Sequence, residues 1–287
     1  MTRRTASAIR VACAQTDPVI GDVAANIAAT VEAIRAAAEV DADLVVLPEC
    51  ASAGWAFTGT VESRATAQRL DGPTIRAWHA QARDRNLWVC GGFTELRDDD
   101  QVYNSSALVS PDGVAAVYRK VHLWNSEHDS FTPGDGGFPV VDTPFGRVGM
   151  LICYDAWFPE SFRSMALQGA DLVLAPSDWV PNPHQPPDMP PLAHLVTMSA
   201  AHSNQLYVAA ASRVGVERGQ QFIGSSVIVG HDGWLLSRPG TDKPDLIWAD
   251  IDPVGSRQAR RSDPFNRPLG DRRPEAYLQH IPQEIQA

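Results

Sequence analysis

What this sequence lacks narrows it first. Nowhere do about 18 apolar residues run together, so no membrane-spanning helix is expected. Behind the charged start, Met1-Thr-Arg-Arg-Thr, there is no apolar core of signal-peptide length. Basic residues do not prevail, with 24 Lys and Arg against 34 Asp and Glu and a net charge of −10. The one arginine-rich stretch, Arg257 to Arg273, is interrupted by Asp263 and Asp271. A nucleic-acid partner is therefore not expected. Cysteine is scarce: Cys13, Cys50, Cys90 and Cys153 form no C-x-x-C pair and sit in or beside apolar runs. In a chain this large they read as free thiols of a cytoplasmic protein rather than a disulfide framework. The histidines show no cluster of zinc-ligand spacing, so no metal or cofactor is called for. What remains is 287 residues, 44% hydrophobic and 20% charged, the composition of a soluble globular protein with a sizeable core.

Apolar runs alternate with helical patterns along the chain. Ile9–Ala14 reads as a strand, and Val23–Glu39 as a helix with Ile27, Val31 and Ile34 on one face. Leu44–Leu47 is wholly apolar, as a strand buried on both faces must be. Pro73–Asn86 is a helix opening on proline. Leu87–Phe93, Ser105–Ser110 and Val114–Tyr118 read as strands, the last two joined by the turn Pro111-Asp112-Gly113.

The series then begins again. Asp41-Ala-Asp-Leu-Val-Val-Leu-Pro-Glu49 resembles Gly169-Ala-Asp-Leu-Val-Leu-Ala-Pro-Ser177, and Leu87-Trp-Val-Cys90 resembles Leu206-Tyr-Val-Ala209. Ser105-Ser-Ala-Leu-Val-Ser-Pro-Asp-Gly113 resembles Ser225-Ser-Val-Ile-Val-Gly-His-Asp-Gly233, so three matches recur in order, offset by roughly 120 to 130 positions. That spacing is too long for a solenoid and implies two similar half-domains, each a sheet with helices. If each sheet carries helices on one face, the bare faces bury each other. The expected fold is thus an α/β, four-layer αββα sandwich with internal pseudo-duplication, a single domain over residues 1–287. Pro181–Pro191 reads as a surface loop before a helix at Leu192–Ser203. The tail at 255–287, rich in arginine and proline with little periodicity, reads as a C-terminal arm packing on the body or on a second subunit.

Three strand ends carry reactive side chains. Val148-Gly-Met-Leu-Ile runs straight into Cys153, and Pro159 then lets a helix begin. Backbone N–H groups at such a junction can lower a thiol pKa and cradle an oxyanion. Glu49 closes the run Leu47-Pro48-Glu49, an acid that is costly to bury without a partner. Lys120 closes Val117-Tyr-Arg-Lys120. In open α/β sheets the site crevice lies at such strand ends. Cys50 neighbours Glu49, but its side chain is expected to point elsewhere, and Cys13 and Cys90 are expected in the core.

These segments resemble the nitrilase superfamily of carbon–nitrogen hydrolases over nearly all of Ile9–Asp252. Three motifs stand in order: Leu47-Pro48-Glu49; Arg119-Lys120-Val-His-Leu-Trp124 with Glu127-His-Asp-Ser-Phe131-Thr-Pro133-Gly134; and Cys153-Tyr-Asp-Ala-Trp-Phe-Pro159-Glu160. The resemblance implies Cys153 as nucleophile, Glu49 as general base and Lys120 as oxyanion partner, together with the backbone N–H of Tyr154. Glu127 matches the second glutamate that positions Lys120 and the substrate. The implied chemistry is attack on a small amide-like substrate, a thioester, release of ammonia or an amine, and hydrolysis to the acid.

Trp124 matches a tryptophan of the acyl pocket in aliphatic amidases, while Trp55, Trp157 and Trp179 lie just beyond strand ends and are candidate pocket walls. Carbamoylases acting on N-carbamoyl amino acids resemble Cys-Asn-Asp-Arg-Arg-Trp-Pro-Glu; here Ala156 and Trp157 leave the carboxylate-holding arginine missing, with Arg213 and Arg163 as possible substitutes. The run lies nearer the N-carbamoylputrescine amidase type, Cys-Trp-Asp-Gln-Trp-Phe-Pro-Glu. Nitrilases proper usually show Cys-Trp-Glu, which Tyr154-Asp155 does not match. An amidase or carbamoyl amidase is the leading reading. A nitrile-processing or acyl-transferring relative is the alternative, although the membrane acyltransferases of the superfamily carry spans absent here. A non-catalytic protein on the same fold would have no need of all three reactive residues. Superfamily members commonly assemble through helices beside the nucleophile, so Phe158–Gln168 is the expected face of a homodimer or larger homo-oligomer.

Overall fold

A computed structural model describes residues 7–262 and 265–277. The first half runs β1 (Ile9–Gln15), α1 (Val23–Glu39), β2 (Leu44–Val46), α2 (Thr60–Thr66), α3 (Pro73–Arg85), β3 (Trp88–Leu96), β4 (Val102–Ser110), β5 (Gly113–Arg119) and a single turn α4 (Glu127–Ser130). The second runs β6 (Val140–Thr143), β7 (Gly146–Met150), α5 (Pro159–Leu167), β8 (Leu172–Ser177), α6 (Leu192–Asn204) and β9 (Tyr207–Ser212). It ends with β10 (Val214–Glu217), β11 (Gln220–Ile223), β12 (Val227–Val229), β13 (Asp245–Ile251) and α7 (Pro253–Ser262).

Local chemistry sets the ends of these elements. The Asp22 carboxylate accepts from the Ala25 N–H (3.0 Å) and caps α1. Proline opens α3 and α5, where its missing N–H costs nothing. Asn86 closes α3 in the left-handed conformation, φ +52°, satisfying the Ala82 and Arg83 carbonyls. The buried stripe of α1 is Asn26, Thr30, Ile34 and Ala37, with Ile27 and Val31 flanking it. Two polar residues are admitted because each has a partner. Asn26 pairs with the Val19 backbone through both side-chain atoms, and Thr30 accepts the Trp78 indole N–H (3.0 Å).

Strand alternation sorts the core into layers. Val11, Cys13, Leu44, Val46 and Cys90 face inward with Val148, Met150, Leu172, Leu174 and Ala209 of the second sheet. Their neighbours Ala12, Ala14, Val45, Leu47 and Val89 face outward onto Ile34, Ile75 and Trp78 of α1 and α3. On the far side, Phe162 and Met165 of α5 and Ala200 and Ala201 of α6 join the core of the second sheet. The αββα sandwich is therefore the observed fold.

The six-stranded sheet has the order β13-β1-β2-β3-β4-β5 and the five-stranded sheet β12-β9-β8-β7-β6. The central pairs β1–β2, β2–β3, β7–β8 and β8–β9 are parallel; the flanking pairs β13–β1, β3–β4, β6–β7 and β9–β12 are antiparallel. The run β13-β1-β2-β3-β4 thus repeats as β6-β7-β8-β9-β12. The three segment pairs that recur in the sequence fall on β2 with β8, β3 with β9 and β4 with β12.

The strands at Leu87–Phe93 and Ser105–Ser110 are longer than expected, because β3 and β4 continue into a hairpin closed by Arg97 N–H to Gln101 O (3.0 Å). The tail after Gly255 also differs from its expected irregularity. It begins inside α7, whose Arg257 and Arg260 both pair with buried Asp171. The expected arm extends into 278–287, outside the described residues. Among the described residues no helix is long and apolar enough to cross a membrane.

Candidate active site

Three strand ends and one short turn bring the expected residues together. β2 stops at Val46, and Pro48, unable to donate to a ladder, carries the chain out to Glu49. The Glu49 N–H reaches the Ser177 carbonyl at the end of β8 (3.4 Å), so the C-terminal ends of the two sheets meet here. The approach of β3 demands a glycine. A Cβ on Gly92 would stand 2.5 Å from Cys50 N and 2.6 Å from Glu49 Cα. Lys120 follows β5, its N–H donating to the Asn104 carbonyl (2.9 Å) and its carbonyl accepting from Gly134 N–H (2.8 Å). Cys153 opens a tight helical turn, Cys153–Trp157, with φ +45°, a strained region for an L side chain.

Lys120, Glu49 and Glu127 are almost wholly buried. The Lys120 ammonium donates to Glu49 Oε1 (2.6 Å) and to Glu127 Oε1 (2.9 Å) and Oε2 (2.7 Å). Asn104 Nδ2 donates to Glu49 Oε1 (2.6 Å) and Glu127 Oε1 (2.8 Å), bridging the two acids. Glu127 also accepts from the Trp55 indole N–H (2.9 Å) and the Trp124 backbone N–H (2.6 Å). Glu127 is saturated. Glu49 is not: its Oε2 is buried without a hydrogen-bond partner.

These contacts divide the charges. Burial works against the Lys120 ammonium, but Glu127 and Glu49 outweigh it and hold the lysine well above its ordinary range. Burial likewise opposes the Glu127 carboxylate, yet Lys120 and the backbone donor win and keep it low. For Glu49 burial dominates, helped by the neighbouring Glu127, and pushes the carboxyl up to about 7 despite Lys120. Cys153 keeps partial exposure. Protein packed around the sulfur, with Glu49 beside it, still drives the thiol well upward, while Lys120 and a hydrogen bond from the Asp178 backbone pull the other way. The resting cluster is thus a fixed Lys120–Glu127 ion pair, a poised Glu49 and a protonated thiol.

Trp124, Tyr154, Trp157 and Trp179 line a cavity of about 240 Å³ together with Cys153. Trp55 does not line it. That ring lies behind Trp124, centroids 5.5 Å apart, and spends its N–H on Glu127. Nor does either substitute arginine reach the cavity. Arg213 is buried against Glu217 (2.7 Å) and Asp17 (3.3 Å), and Arg163 donates to the Ser203 carbonyl. Cys13 and Cys90 are fully buried core, and Cys50 packs with Ala53 and Phe57.

Sequence reasoning missed three residues. Asn104 bridges both glutamates. Asp155 accepts from Tyr118 OH (2.6 Å), Ile152 N–H (2.9 Å) and His122 N–H (3.0 Å), with His122 Nδ1 at 2.8 Å, and so ties the Cys153 turn to the segment after Lys120. Asp178 lines the cavity beside Cys153. The internal repeat offered the signal for Asp178, since it follows Ser177, the counterpart of Glu49.

An αββα sandwich that gathers an acid, a lysine and a cysteine at the ends of its sheets defines a hydrolase of the nitrilase superfamily. The chain belongs to the carbon–nitrogen hydrolase family, whose model, Carbon-nitrogen hydrolase, matches residues 10–261. It is 37% identical over 271 residues to a nitrilase from Pyrococcus abyssi, covering 94% of this chain and 99% of that protein. It is also 37% identical over 255 residues to an (R)-stereoselective amidase from a Pseudomonas species, covering 88% of this chain and 87% of the relative. Among solved structures it resembles a mutant of the amidase from Nesterenkonia sp. AN1 in which acrylamide has added to the active site cysteine. That likeness has a TM-score of 0.77 and 26% identity, covering 95% of this chain and 100% of the other. The protein is an amidase- or nitrilase-type hydrolase acting on C–N bonds.

Proposed function

We propose that the chain is an amidase that hydrolyses a small aliphatic amide or carbamoyl compound through a thioester on Cys153. One observation carries the assignment of roles. Of the four Glu49 and Glu127 carboxylate oxygens gathered around Lys120, Glu49 Oε2 alone is left without a hydrogen-bond partner. A carboxylate held by Lys120 and Asn104 through one oxygen keeps the other free to receive a proton.

Cys153 Sγ bonds to the amide carbon as its proton passes to Glu49. The oxyanion falls between the Lys120 ammonium and the Tyr154 N–H. Glu49 returns the proton to nitrogen, the C–N bond breaks, and ammonia or an amine leaves. Water then attacks the thioester, with Glu49 taking its proton, and the acid departs as the thiol reforms. Glu127 holds Lys120 in place. Trp124, Tyr154, Trp157 and Trp179 suit a small acyl group. The same groups can open a nitrile, and the likeness to the Pyrococcus abyssi nitrilase favours that as the second reading.

The test is ammonia release from aliphatic amides, ureido compounds and nitriles, with Cys153→Ala as control. Turnover falls by more than about 10³-fold in that variant, and mass spectrometry of quenched wild type finds the acyl group on Cys153. Retained ammonia release in Cys153→Ala rules the nucleophile out. We further infer a single domain with its C-terminal arm, a cytoplasmic location in keeping with free thiols, and a homodimer or larger homo-oligomer through Phe158–Gln168, where Leu167 is exposed.

A further inference from the structure

Among the described residues Asp178 supplies the one carboxyl that lines the cavity, and the proposed reaction does not use it. It is buried, and neither of its oxygens has a hydrogen-bond partner. A buried acid left in that state is costly unless something arrives to satisfy it. Asp178 lines the same cavity as Cys153, and its own backbone N–H hydrogen-bonds the sulfur. Asp178 therefore stands beside the sulfur to which an acyl group would bond.

We propose that Asp178 anchors a positively charged amino group on the acyl side of the substrate, so that the preferred substrates are small amino amides. This deepens, and rests on, the amide-hydrolysis reading.

Three observations support that occupant over a neutral or acidic one. The first is the charge balance. Glu49, Glu127, Asp178 and Glu217 are all buried, and among the described residues the buried lysine and arginine side chains are Lys120 and Arg213. Lys120 is committed to Glu49 and Glu127, and Arg213 to Glu217 and Asp17, so neither buried cation hydrogen-bonds Asp178. The second is the wall. Among the described residues no arginine, lysine or histidine lines the cavity, whereas Trp124, Tyr154, Trp157 and Trp179 do. Aromatic faces attract a cation and do nothing for a carboxylate. The third is size. About 240 Å³ admits an acyl chain of a few atoms, which keeps its amino group close to Asp178. Without that cation, burial and the charge of Glu49, with Glu217, outweigh Arg213 and Lys120 and hold the Asp178 carboxyl well above the usual carboxylate range.

The experiment compares kcat/KM for ammonia release from β-alaninamide and from butyramide, which match in heavy-atom count and differ by an ammonium in place of a methyl. The full-length wild type is expected to favour β-alaninamide at least tenfold at neutral pH. In Asp178→Asn, with folding checked by circular dichroism, that ratio falls at least tenfold. Comparing ratios removes the inductive effect of the ammonium, which is the same for both proteins. A wild-type ratio at or below one, or a ratio unchanged in the variant, overturns the proposal. Should Asp178→Asn not fold, calorimetric binding of the two amides to Cys153→Ala decides, with tighter β-alaninamide supporting the anchor and equal affinity refuting it. If neither amide is hydrolysed by wild type, the amidase reading fails, and the same binding pair on wild type still decides the anchor.

Discussion

A glutamate that must take a proton from a thiol needs a pKa close to that of working conditions, and burial supplies it here. At the scale of residues, Glu49 is pushed up to about 7 by desolvation and by Glu127, and Lys120 offsets only part of that. A raised base is protonated, and idle, below its pKa. The expected kcat/KM therefore rises with pH through an acid limb near 7 and then levels, while Lys120 and Glu127 stay charged throughout. Glu49→Gln should fold, keep its hydrogen bond from Lys120, and lose about 10²- to 10⁴-fold in kcat. Initial rates of ammonia release from pH 5 to pH 9 check both. A profile already near its plateau at pH 5, as the ordinary glutamate value of about 4.3 would give, or unchanged turnover in Glu49→Gln, would remove Glu49 as the base.

At the scale of elements, the question is what keeps the sulfur aligned with the lysine when each stands on a different sheet. Asp155, in the turn after β7, gathers donors from Tyr118 on β5, from Ile152 and from His122, two residues past Lys120. Asp155→Asn replaces one acceptor oxygen by a donor and strands at least one of these groups. The expected cost is about 2–4 kcal/mol in stability, with a fall in kcat larger than any change in KM. Thermal unfolding and steady-state kinetics measure the two effects, and an unaltered kcat would mean that this tie is structural only. The same residue shows where sequence reading stops. The strand ends at Glu49, Lys120 and Cys153 were legible because apolar runs stop there, and Val23–Glu39 was legible from its period. The buried stripe of that helix was not, since Asn26 and Thr30 are admitted only by the Val19 backbone and by Trp78. Asn104, Asp155 and Asp178 are ordinary polar residues in the sequence. Their meaning lies in partners 23 to 55 positions away for Asn104 and 33 to 37 for Asp155, or, for Asp178, in having none.

At the scale of the whole molecule, the duplicated sheets place Glu49 after β2 and Asp178 after its counterpart β8, so each half supplies an acid beside Cys153. In the proposed homo-oligomer, the helix layer beside the second sheet is where a second copy would dock. Trp157 (39% exposed), Leu167 (50%) and Leu195 (39%) show apolar surface there. Trp157 lines both the active-site cavity and a groove shared with Pro159, Phe162 and Leu195. A partner covering that groove would fix a wall of the substrate pocket as well as bury apolar area. The 31.1 kDa chain is accordingly expected to scatter light as a dimer or larger, and Leu167→Glu with Leu195→Glu to shift it toward monomer. Because Trp157 belongs to the Cys153 turn, the monomer should also bind amides more weakly, raising KM several-fold while the far-ultraviolet circular dichroism is retained. A wild-type mass equal to one chain removes the interface; a double variant that dissociates with KM unchanged removes its link to the pocket.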